Sequence, residues 1–335
     1  MTTIVLDAMG TDTYPDTDVR GAVMAARAYD LDLILVGNEK LLSEKLAKYA
    51  PNENLAIRIV HAPEMLTMDG KGDDLVRKAH HKEAQNSMAV GIDLVKKGDA
   101  DAFVSAGNTG ATMVTSLFRL GRLRGINRPA LSPTIPTSKG NCLALDLGAN
   151  PDCKPRNLVE FGKMGSVYVE KVWGVKNPRV GILSIGEEAG KGSNLVRETY
   201  PLLAETDLNF VGNVESKGVF VGEVDVVVTD GFTGNVFLKT AEGVAKLMTD
   251  TIKESIMQGG ILAKIGGLLI KPSLGRVKEK LDPNMVGAVP LLGVNGIVFI
   301  GHGSSNHHAI KNAIKAAKEA AESDLLGSLR EAMKK

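Results

Sequence analysis

The residues of this chain that are best suited to chemistry are small polar side chains and one lysine, which follow short apolar runs. The clearest case is 224–235, VDVVVTDGFTGN, where a valine run is followed by small polar residues and two glycines, which predict a tight turn. The valines predict a strand buried on both faces, as in a parallel sheet. An apolar period near 3.6 then predicts a helix. Such strand-to-helix corners bind anions, because the N–H groups at a helix N-terminus are unpaired and its dipole end is positive.

Similar corners recur along the chain, so an ordinary turn is a poorer explanation than it would be for one corner alone. Each follows a short apolar run and is rich in glycine or small polar residues. The other corners are 7–12, 37–38, 105–110, 146–150, 186–193, 212–215 and 301–306. Together they predict a cleft lined by small polar groups and backbone N–H donors.

Two corners resemble nucleotide motifs but lack essential positions. Gly186 to Ser193 reads G-x-x-x-G-K-G-S, which is one residue short of a P-loop and has glycine after the lysine. Gly301 to Asn306 lacks the third glycine of a dinucleotide fingerprint and follows the last predicted strand instead of the first. The sequence therefore predicts no nucleotide cofactor.

The polar residues that remain are suited to holding an anion. Lys191 lies between two glycines, so its ammonium group can reach into the cleft, although an exposed surface lysine is the simpler alternative. Thr233, Asn235, Asn108 and Thr109 can donate hydrogen bonds to an anion or to a developing oxyanion. Asn235 has a second interpretation, as a cap of the following helix.

Neither a protein nucleophile nor a metal site stands out. No serine lies in a G-x-S-x-G elbow, Cys142 falls inside a predicted strand, and Cys153 lies in a loop without an evident basic partner. The adjacent His307 and His308 point apart on a helix. The carboxylates at corners, for which capping and turn roles are commoner than metal binding, are Asp7, Asp12, Asp146 and Asp230. This pattern suits direct attack by orthophosphate on an acyl thioester, with the protein stabilising the tetrahedral oxyanion.

The elements that position these residues alternate between strand and helix over nearly all of the 335 residues. This predicts a three-layer α/β/α sandwich with a largely parallel, Rossmann-like sheet, formed by a single catalytic domain over 1–335. A net charge of +1 and an aromatic content of 4% disfavour nucleic-acid binding. Two cysteines and the lack of a recognisable signal or spanning segment predict a cytoplasmic protein.

The glycine-rich stretch from Gly259 to Gly275 is apolar but too short to span a bilayer. We expect it to form the tip of a helical hairpin that protrudes at about 240–285, followed by a short basic helix with Arg276, Lys278 and Lys280. Two interpretations remain open, namely packing in a dimer interface and peripheral binding to a membrane. A second surface stretch, the polar loop 64–74, is either a solvated loop or a mobile lid.

Several motifs occur in the order seen in the bacterial phosphate acyltransferase family PlsX, and the resemblance covers nearly the whole chain. These motifs are Asp7-Ala-Met-Gly10, Ser105-Ala-Gly-Asn-Thr-Gly-Ala111, Arg128-Pro-Ala-Leu131, Leu145-Asp-Leu-Gly-Ala-Asn150, Asp230-Gly-Phe-Thr-Gly-Asn235 and His302-Gly303. One departure is Thr11, which adds a side chain at a turn where family members usually have glycine. The region of His80 and His81 is also less basic than the family leads one to expect.

The resemblance implies an acyl-[acyl-carrier-protein]:phosphate acyltransferase with a fold similar to phosphate acetyltransferases and isocitrate/isopropylmalate dehydrogenases. Its product would be acyl phosphate, used by a glycerol-3-phosphate acyltransferase in phospholipid synthesis. The family's members are homodimers, which predicts a homodimer here. We also expect no cofactor or metal, and peripheral association with the inner face of the cell membrane. Lys191 and Asn235 match the family's catalytic residues. The residues expected to bind substrate are Asn108, Thr109, Gly110, Asp146, Asp230, Thr233, Gly234 and His302.

The acyl-carrier protein is acidic as a family, which predicts a basic docking patch. The best local cluster is Arg119, Arg122, Arg124 and Arg128. Two other classes of function remain open. One is a CoA-dependent enzyme like phosphate acetyltransferase, and the other is a non-catalytic scaffold for lipid enzymes at the membrane.

Overall fold

The computed structural model describes residues 1–64, 85–281 and 283–334. The predicted loop 64–74, except for Glu64, lies outside these ranges, as do His80, His81 and the first part of the helix predicted from Leu75 to Lys97. The side chains of Arg276, Lys278 and Lys280 also lie outside the described part.

Strands and mostly parallel pairing confirm the α/β class, but the strands form two sheets instead of one. The strands are β1 (Thr3–Asp7), β2 (Asp32–Gly37), β3 (Ile57–His61), β4 (Ala102–Ser105), β5 (Ala130–Leu131), β6 (Thr134–Thr137), β7 (Gly140–Leu145), β8 (Val180–Leu183), β9 (Phe210–Val214), β10 (Val226–Val228), β11 (Val289–Leu292) and β12 (Ile297–Ile300). Within the described ranges, one sheet has the order β3-β2-β1-β4-β12-β11-β5 and the other has the order β6-β7-β10-β8-β9. Antiparallel pairs occur only at β5–β11, β11–β12 and β6–β7 in this part of the chain.

Helices connect most of these strands. They are α1 (Asp16–Ala28), α2 (Glu39–Tyr49), α3 (Ser87–Lys97), α4 (Thr109–Arg119), α5 (Pro155–Trp173), α6 (Asn194–Ala204), α7 (Ser216–Val221), α8 (Gly231–Gln258), α9 (Ile261–Leu281), α10 (Pro283–Val286), α11 (His307–Glu322) and α12 (Leu325–Ala332). Most of the predicted helices are present where the chain is described. The helices α6, α7, α10 and α12 and the strands β5, β6 and β11 were not predicted.

The apolar strands are buried on both faces, as the valine runs predict. In β1, Ile4 and Leu6 enter one core cluster while Val5 enters another. In β10, Val226 and Val228 join the same cluster as Ile4, and Val227 packs on the opposite face. A single apolar cluster thus joins the two sheets, which share one core. The corners at the carboxyl ends of the strands in both sheets therefore rest on the same core.

The hairpin differs in detail from the expectation. Gly259 and Gly260 alone form the turn between α8 and α9, and the rest of 259–275 lies within α9. The separate basic helix was a wrong prediction, because α9 continues without a break to Leu281. The two arms approach closely at Gly267, where an added Cβ would lie 2.4 Å from Cγ2 of Ile256. No helix in the described ranges is both long enough and apolar enough to cross a bilayer.

Thr11 has a structural partner that its position in the turn after β1 did not reveal. Its hydroxyl donates to Oδ2 of Asp18 in α1 at 2.5 Å, and both residues are buried. The other oxygen, Oδ1 of Asp18, is buried and has no partner in the described part of the chain. Burial, together with the nearby carboxylate of Asp7, raises the pKa of Asp18 from an ordinary 3.8 to about 7.

We expect Asp18 to make stability depend on pH. Because its pKa is higher in the folded than in the unfolded chain, the folded state holds a proton that the unfolded state releases near pH 4. The free energy of unfolding should therefore fall as pH rises from about 4 to about 7, by at most about 1.4 kcal/mol per pH unit. Asp18→Asn cannot titrate, so it should flatten this dependence in denaturant titrations at pH 5 to 8. The matched control is Asp30→Asn, just after α1, whose side chain is exposed, and equal slopes in Asp18→Asn and wild type would contradict the prediction.

Candidate active site

Two corners of the larger sheet enclose a cavity of about 280 Å³. It is lined by residues 107–110, after β4, and 301–303, after β12. The two strands are parallel neighbours, with Ser105 opposite Ile300, so their corners meet at one edge. Four of the predicted substrate-binding residues, Asn108, Thr109, Gly110 and His302, are thereby brought together.

The polar groups of this cavity are oriented by local hydrogen bonds. Oδ1 of Asn108 accepts from the N–H of Ala111 at 2.8 Å and caps α4. Nδ1 of His302 lies 3.2 Å from the backbone nitrogen of Ser304 and 2.7 Å from its hydroxyl. Because a backbone N–H can only donate, Nδ1 is the acceptor, and a neutral ring carries its proton on Nε2. His302 therefore presents an N–H donor at an exposed position.

The corner after β1 packs against both corners that line the cavity. An added Cβ on Gly10 would lie 2.8 Å from the nitrogen of Gly107, so only glycine permits this approach. The N–H of Asp12 donates to the carbonyl of Gly303 at 2.8 Å. Asp7 accepts from the Ser105 hydroxyl at 2.7 Å. Burial raises the pKa of Asp7, and this hydrogen bond offsets part of the increase.

In the smaller sheet, Asp146 fixes the corner that follows β7. It is fully buried, and its carboxylate accepts from the N–H of Leu131 at 2.9 Å, the N–H of Asn150 at 2.6 Å and Nδ2 of Asn150 at 2.9 Å. Burial raises the pKa of Asp146, and these N–H donors lower it again in part. Since Leu131 belongs to β5 of the larger sheet, Asp146 joins the corner of one sheet to the edge of the other.

The first turn of α8 packs directly on that corner through two glycines. An added Cβ on Gly231 would lie 2.7 Å from the carbonyl oxygen of Asn150, and one on Gly234 would lie 2.2 Å from that of Asp146. The sequence analysis assigned these glycines to a tight turn, which was wrong, since both lie inside the helix. Glycine is required at both positions because the two backbones approach too closely for a side chain.

The same packing places Asn235 at the edge of the sheet. Its Cγ lies 3.8 Å from the position of a Cβ on Gly148, whose φ of +109° also favours glycine. Asn235 is exposed, and its amide makes no hydrogen bond to any described residue. It does not cap the helix, because Asp230 does so, accepting from the N–H of Thr233 at 2.8 Å and from its hydroxyl at 2.8 Å. The capping interpretation of Asn235 is therefore wrong, and its amide is available to a ligand.

Lys191 lies in the corner after β8. Its side chain is exposed, and its ammonium group forms no ion pair with a described residue. The Lys191 N–H donates to the carbonyl of Glu188 at 2.9 Å, which closes a turn. Ser193 caps α6, with its hydroxyl 3.4 Å from the nitrogen of Val196.

Strand order determines which of these groups share an edge. β7, β10 and β8 are parallel neighbours, so the corners of Asp146, Asn235 and Lys191 lie side by side. The cavity lined by Asn108 and His302 belongs to the other sheet. Among the residues that the structure describes, no hydrogen bond or ion pair joins these two groups directly.

The cysteines are poor nucleophiles. Burial raises the pKa of the Cys142 thiol far above its ordinary range, and burial raises that of Cys153 to about 12. Both thiols thus remain protonated near neutral pH. In the described part of the chain, no group of three His, Cys, Asp or Glu residues is arranged to hold a metal ion.

Three residues at these corners were not singled out from the sequence. Asn150 and Gly148 shape the corner beside Asn235, and Asn213 in β9 donates to the carbonyl of Glu188 in the Lys191 turn. Each lies in a corner that the sequence analysis did recognise. Only the contact between corners assigns a role to them, and contacts are not visible in the sequence.

Comparisons with known proteins give a consistent result. The model of the family described as "Fatty acid synthesis protein" matches residues 2–327. The chain is 48% identical to a phosphate acyltransferase of Halothermothrix orenii over 335 residues, covering 99% of this chain and 98% of that protein. It is 45% identical to a phosphate acyltransferase of Elusimicrobium minutum over 328 residues, covering 98% of this chain and 95% of that protein.

Solved structures of low sequence identity share the fold. A phosphotransacetylase from Streptococcus pyogenes superposes with a TM-score of 0.64 at 19% identity, covering 96% of this chain and 94% of that one. A putative 4-hydroxythreonine-4-phosphate dehydrogenase from Salmonella typhimurium superposes with a TM-score of 0.54 at 14% identity, covering 95% of this chain and 99% of that one. At these identities the likeness concerns the fold alone.

The contact of Gly234 with Asp146 leads to a stability prediction. Gly234→Ala places a methyl group 2.2 Å from a backbone oxygen, so one backbone must move, at a cost of about 2–3 kcal/mol in the free energy of unfolding. Gly243→Ala, further along α8, meets nothing within 4 Å and should stabilise the helix by about 0.5–1 kcal/mol. Denaturant titration of both variants tests the prediction. Effects of the same sign would show that the close approach is absent in solution.

Proposed function

This chain belongs to the family of fatty acid synthesis proteins, whose curated relatives are phosphate acyltransferases, and we propose that it transfers a fatty acyl group from acyl-[acyl-carrier-protein] to orthophosphate. A phosphate oxygen attacks the thioester carbonyl carbon, a tetrahedral oxyanion forms, and the carbon–sulfur bond then breaks. The thiolate leaves and takes up a proton, which yields acyl phosphate and free carrier thiol. The acyl phosphate then serves a downstream glycerol-3-phosphate acyltransferase in phospholipid synthesis.

The observation that carries the proposal is the edge shared by the corners of Asp146, Asn235 and Lys191. There the amide of Asn235 and the ammonium group of Lys191, which have no partner among the described residues, stand on neighbouring corners, while both thiols of the chain stay protonated. Phosphate itself is the proposed nucleophile. In the proposed mechanism Lys191 binds the phosphate and offsets its charge, and Nδ2 of Asn235 donates to the oxyanion.

The remaining substrate-binding residues divide into two roles. One role is indirect and belongs to Asp146, Asp230 and Gly234, which fix the backbone of the corner beside the ligand. The oxygens of both carboxylates already accept hydrogen bonds from the protein. The hydroxyl of Thr233 donates to Asp230, so its oxygen remains able to accept. At the cavity of the other sheet the unpaired N–H groups at the start of α4 and Nε2 of His302 supply donors for polar parts of the substrates. These residues are Asn108, Thr109, Gly110 and His302.

The reaction is tested by phosphate-dependent loss of an acyl thioester with purified protein, in the absence of ATP, NAD and added metal. Turnover with acyl-carrier protein but little with acyl-CoA supports the proposal. Acyl phosphate formation from acyl-CoA alone would favour the phosphate acetyltransferase-like alternative. No turnover with either donor would favour the non-catalytic scaffold.

The two proposed catalytic residues are tested in the same assay. Lys191→Ala and Asn235→Asp should each lower turnover by about 100- to 1000-fold, because one loses the cation and the other sets a carboxylate against the phosphate and the oxyanion. The fold should persist, since both side chains are exposed. Lys176→Ala, before the amino end of β8, changes an exposed lysine away from the site and serves as the control. Near-normal rates at saturating substrates would exclude these roles.

Docking of the acidic carrier protein is proposed for the arginines that follow α4. Arg122, Arg124 and Arg128 are exposed, whereas Arg119 forms an ion pair with Asp93 and its side chain is only 10% exposed. Arg119 is therefore not part of the proposed docking patch, because a carboxylate already neutralises its charge. In the donor comparison, reversal of Arg124 to Glu should raise the apparent KM for the carrier donor and leave that for acyl-CoA unchanged.

The hairpin is proposed to make both the homodimer and a peripheral contact with the inner face of the cell membrane. Large apolar side chains are exposed along both arms: Val236, Val244, Leu247, Met248, Ile252 and Met257 on α8, and Ile261, Leu262, Ile265, Leu268, Leu269, Ile270 and Val277 on α9. Lys264 and Lys271 accompany those of α9, which suits anionic head groups. Leu262, next to the turn, is 86% exposed. We therefore assign the end of the hairpin, defined as Gly259 to Ile270, to the lipid and the remaining parts of the arms to the subunit contact.

Charge substitutions at the end of the hairpin distinguish lipid from subunit contact. Ile261→Glu with Leu262→Glu, and Leu268→Glu with Leu269→Glu, should each abolish flotation with anionic liposomes. The dimer, measured by light scattering, and turnover in solution should remain intact. Val175→Glu, an exposed apolar residue after α5, serves as the control. Monomers in either double variant would assign that part of α9 to the subunit interface instead.

A further inference from the structure

The turn that carries Lys191 has little support of its own. Residues 187–191 are all exposed, and no apolar side chain of this turn enters a core cluster. Its one internal backbone bond joins the Lys191 N–H to the carbonyl of Glu188. A loop of this kind samples several conformations unless something outside it restricts the backbone.

Asn213 supplies this restriction from the neighbouring strand. It lies in β9 opposite Ile182 of β8 and is only 7% exposed. Its Nδ2 donates to the carbonyl of Glu188 at 2.7 Å and approaches the carbonyl of Lys191 at 3.5 Å. Both partners are carbonyl oxygens, which only accept, so the amide nitrogen must face them. One side chain on a rigid sheet therefore holds both ends of the 188–191 turn.

The stability of the fold does not explain why Asn213 is buried beneath the 188–191 turn. Oδ1 of Asn213 is buried and has no hydrogen-bond partner in the described part of the chain, and the same is true of Oγ of Ser184. Ser184 lies under the same loop, since an added Cβ on Gly192 would lie 2.9 Å from that oxygen. A buried acceptor without a donor costs free energy. Polar groups are thus kept beneath the Lys191 turn although they leave buried atoms unsatisfied.

We propose that Asn213 is a positioning residue for acyl transfer, which holds the 188–191 turn so that the ammonium group of Lys191 stands over the edge where phosphate attacks. The inference rests on the role proposed for Lys191. It predicts that Asn213 affects the reaction only through Lys191, because Asn213 is buried and its amide bonds to the backbone of the turn. Misplacing a group that aligns reactants by about 1 Å lowers rates by about 100-fold.

A double-mutant cycle tests the inference on the full-length enzyme. Asn213→Ala should lower kcat by about 10- to 100-fold and raise the apparent KM for phosphate, while the KM for the acyl donor stays within about twofold. In a Lys191→Ala background, the same substitution should change the rate by less than about twofold. The matched control is Asn209→Ala, just before β9, where an exposed amide donates to the carbonyl of Asn177 at 2.9 Å. It removes the same kind of bond from the other end of the strand and should leave the kinetics unchanged.

Hydrogen exchange provides a readout that does not depend on residual activity. Asn213→Ala should speed exchange of the Lys191 amide and its loop neighbours, without a change in the strands β8 and β9. Faster exchange throughout both strands would overturn the proposal, because it would mark Asn213 as a structural residue. Equal rate losses in the wild-type and Lys191→Ala backgrounds, or full activity of Asn213→Ala, would also overturn it. Full activity of Lys191→Ala would instead overturn the role of Lys191 itself, so the two failures are distinguishable.

Discussion

The contact on which the site depends most is the approach of two backbones at Gly231 and Gly234. The first turn of α8 lies against the corner 146–150 so closely that a single methyl group at either glycine would meet a backbone oxygen. That corner is itself held by the buried carboxylate of Asp146, which also accepts from Leu131 in the other sheet. The position of Asn235 is therefore set by a continuous chain of contacts that runs from the edge of one sheet to the helix that leaves the other.

A second constraint is electrostatic, because carboxylates lie directly beneath groups that are suited to an anion. Asp7, Asp18 and Asp146 are all buried, and burial raises the pKa of each. Hydroxyl or N–H donors engage at least one oxygen of each carboxylate, and burial favours the neutral acid, so less negative charge faces the corners. The same residue type that would repel phosphate at the surface can in this way serve as a scaffold below it. Thr11 fits this scheme, since its hydroxyl is the donor for Asp18.

The sequence predicted the parts of the site better than their arrangement. Valine runs and polar corners were sufficient to identify β10, the corner of Asn235 and the glycine-framed Lys191, because periodicity and turn chemistry are local. The division into two sheets was not predictable in this way, since the chain first passes from one sheet to the other between β5 and β6, two short strands that the sequence did not reveal. Gly231 and Gly234 were assigned to a turn, because a glycine chosen for close approach and one chosen for a special φ look the same in a sequence. Asn213 was passed over for a similar reason, as its partners lie in a different corner.

The helix α8 links two environments, because it begins at the reaction corner and ends 28 residues later at the turn of the hairpin. Its distal half and the facing arm α9 carry their apolar side chains outside the shared core, so internal packing contributes little to their order. A membrane or a partner subunit that covers the hairpin, as proposed above, would stabilise it, and by mass action this contribution would grow with the concentration of that cover. The free energy of local unfolding of the hairpin would then depend on the solution as well as on the chain. The amino end of the same helix, in contrast, is fixed by the contacts of its glycines.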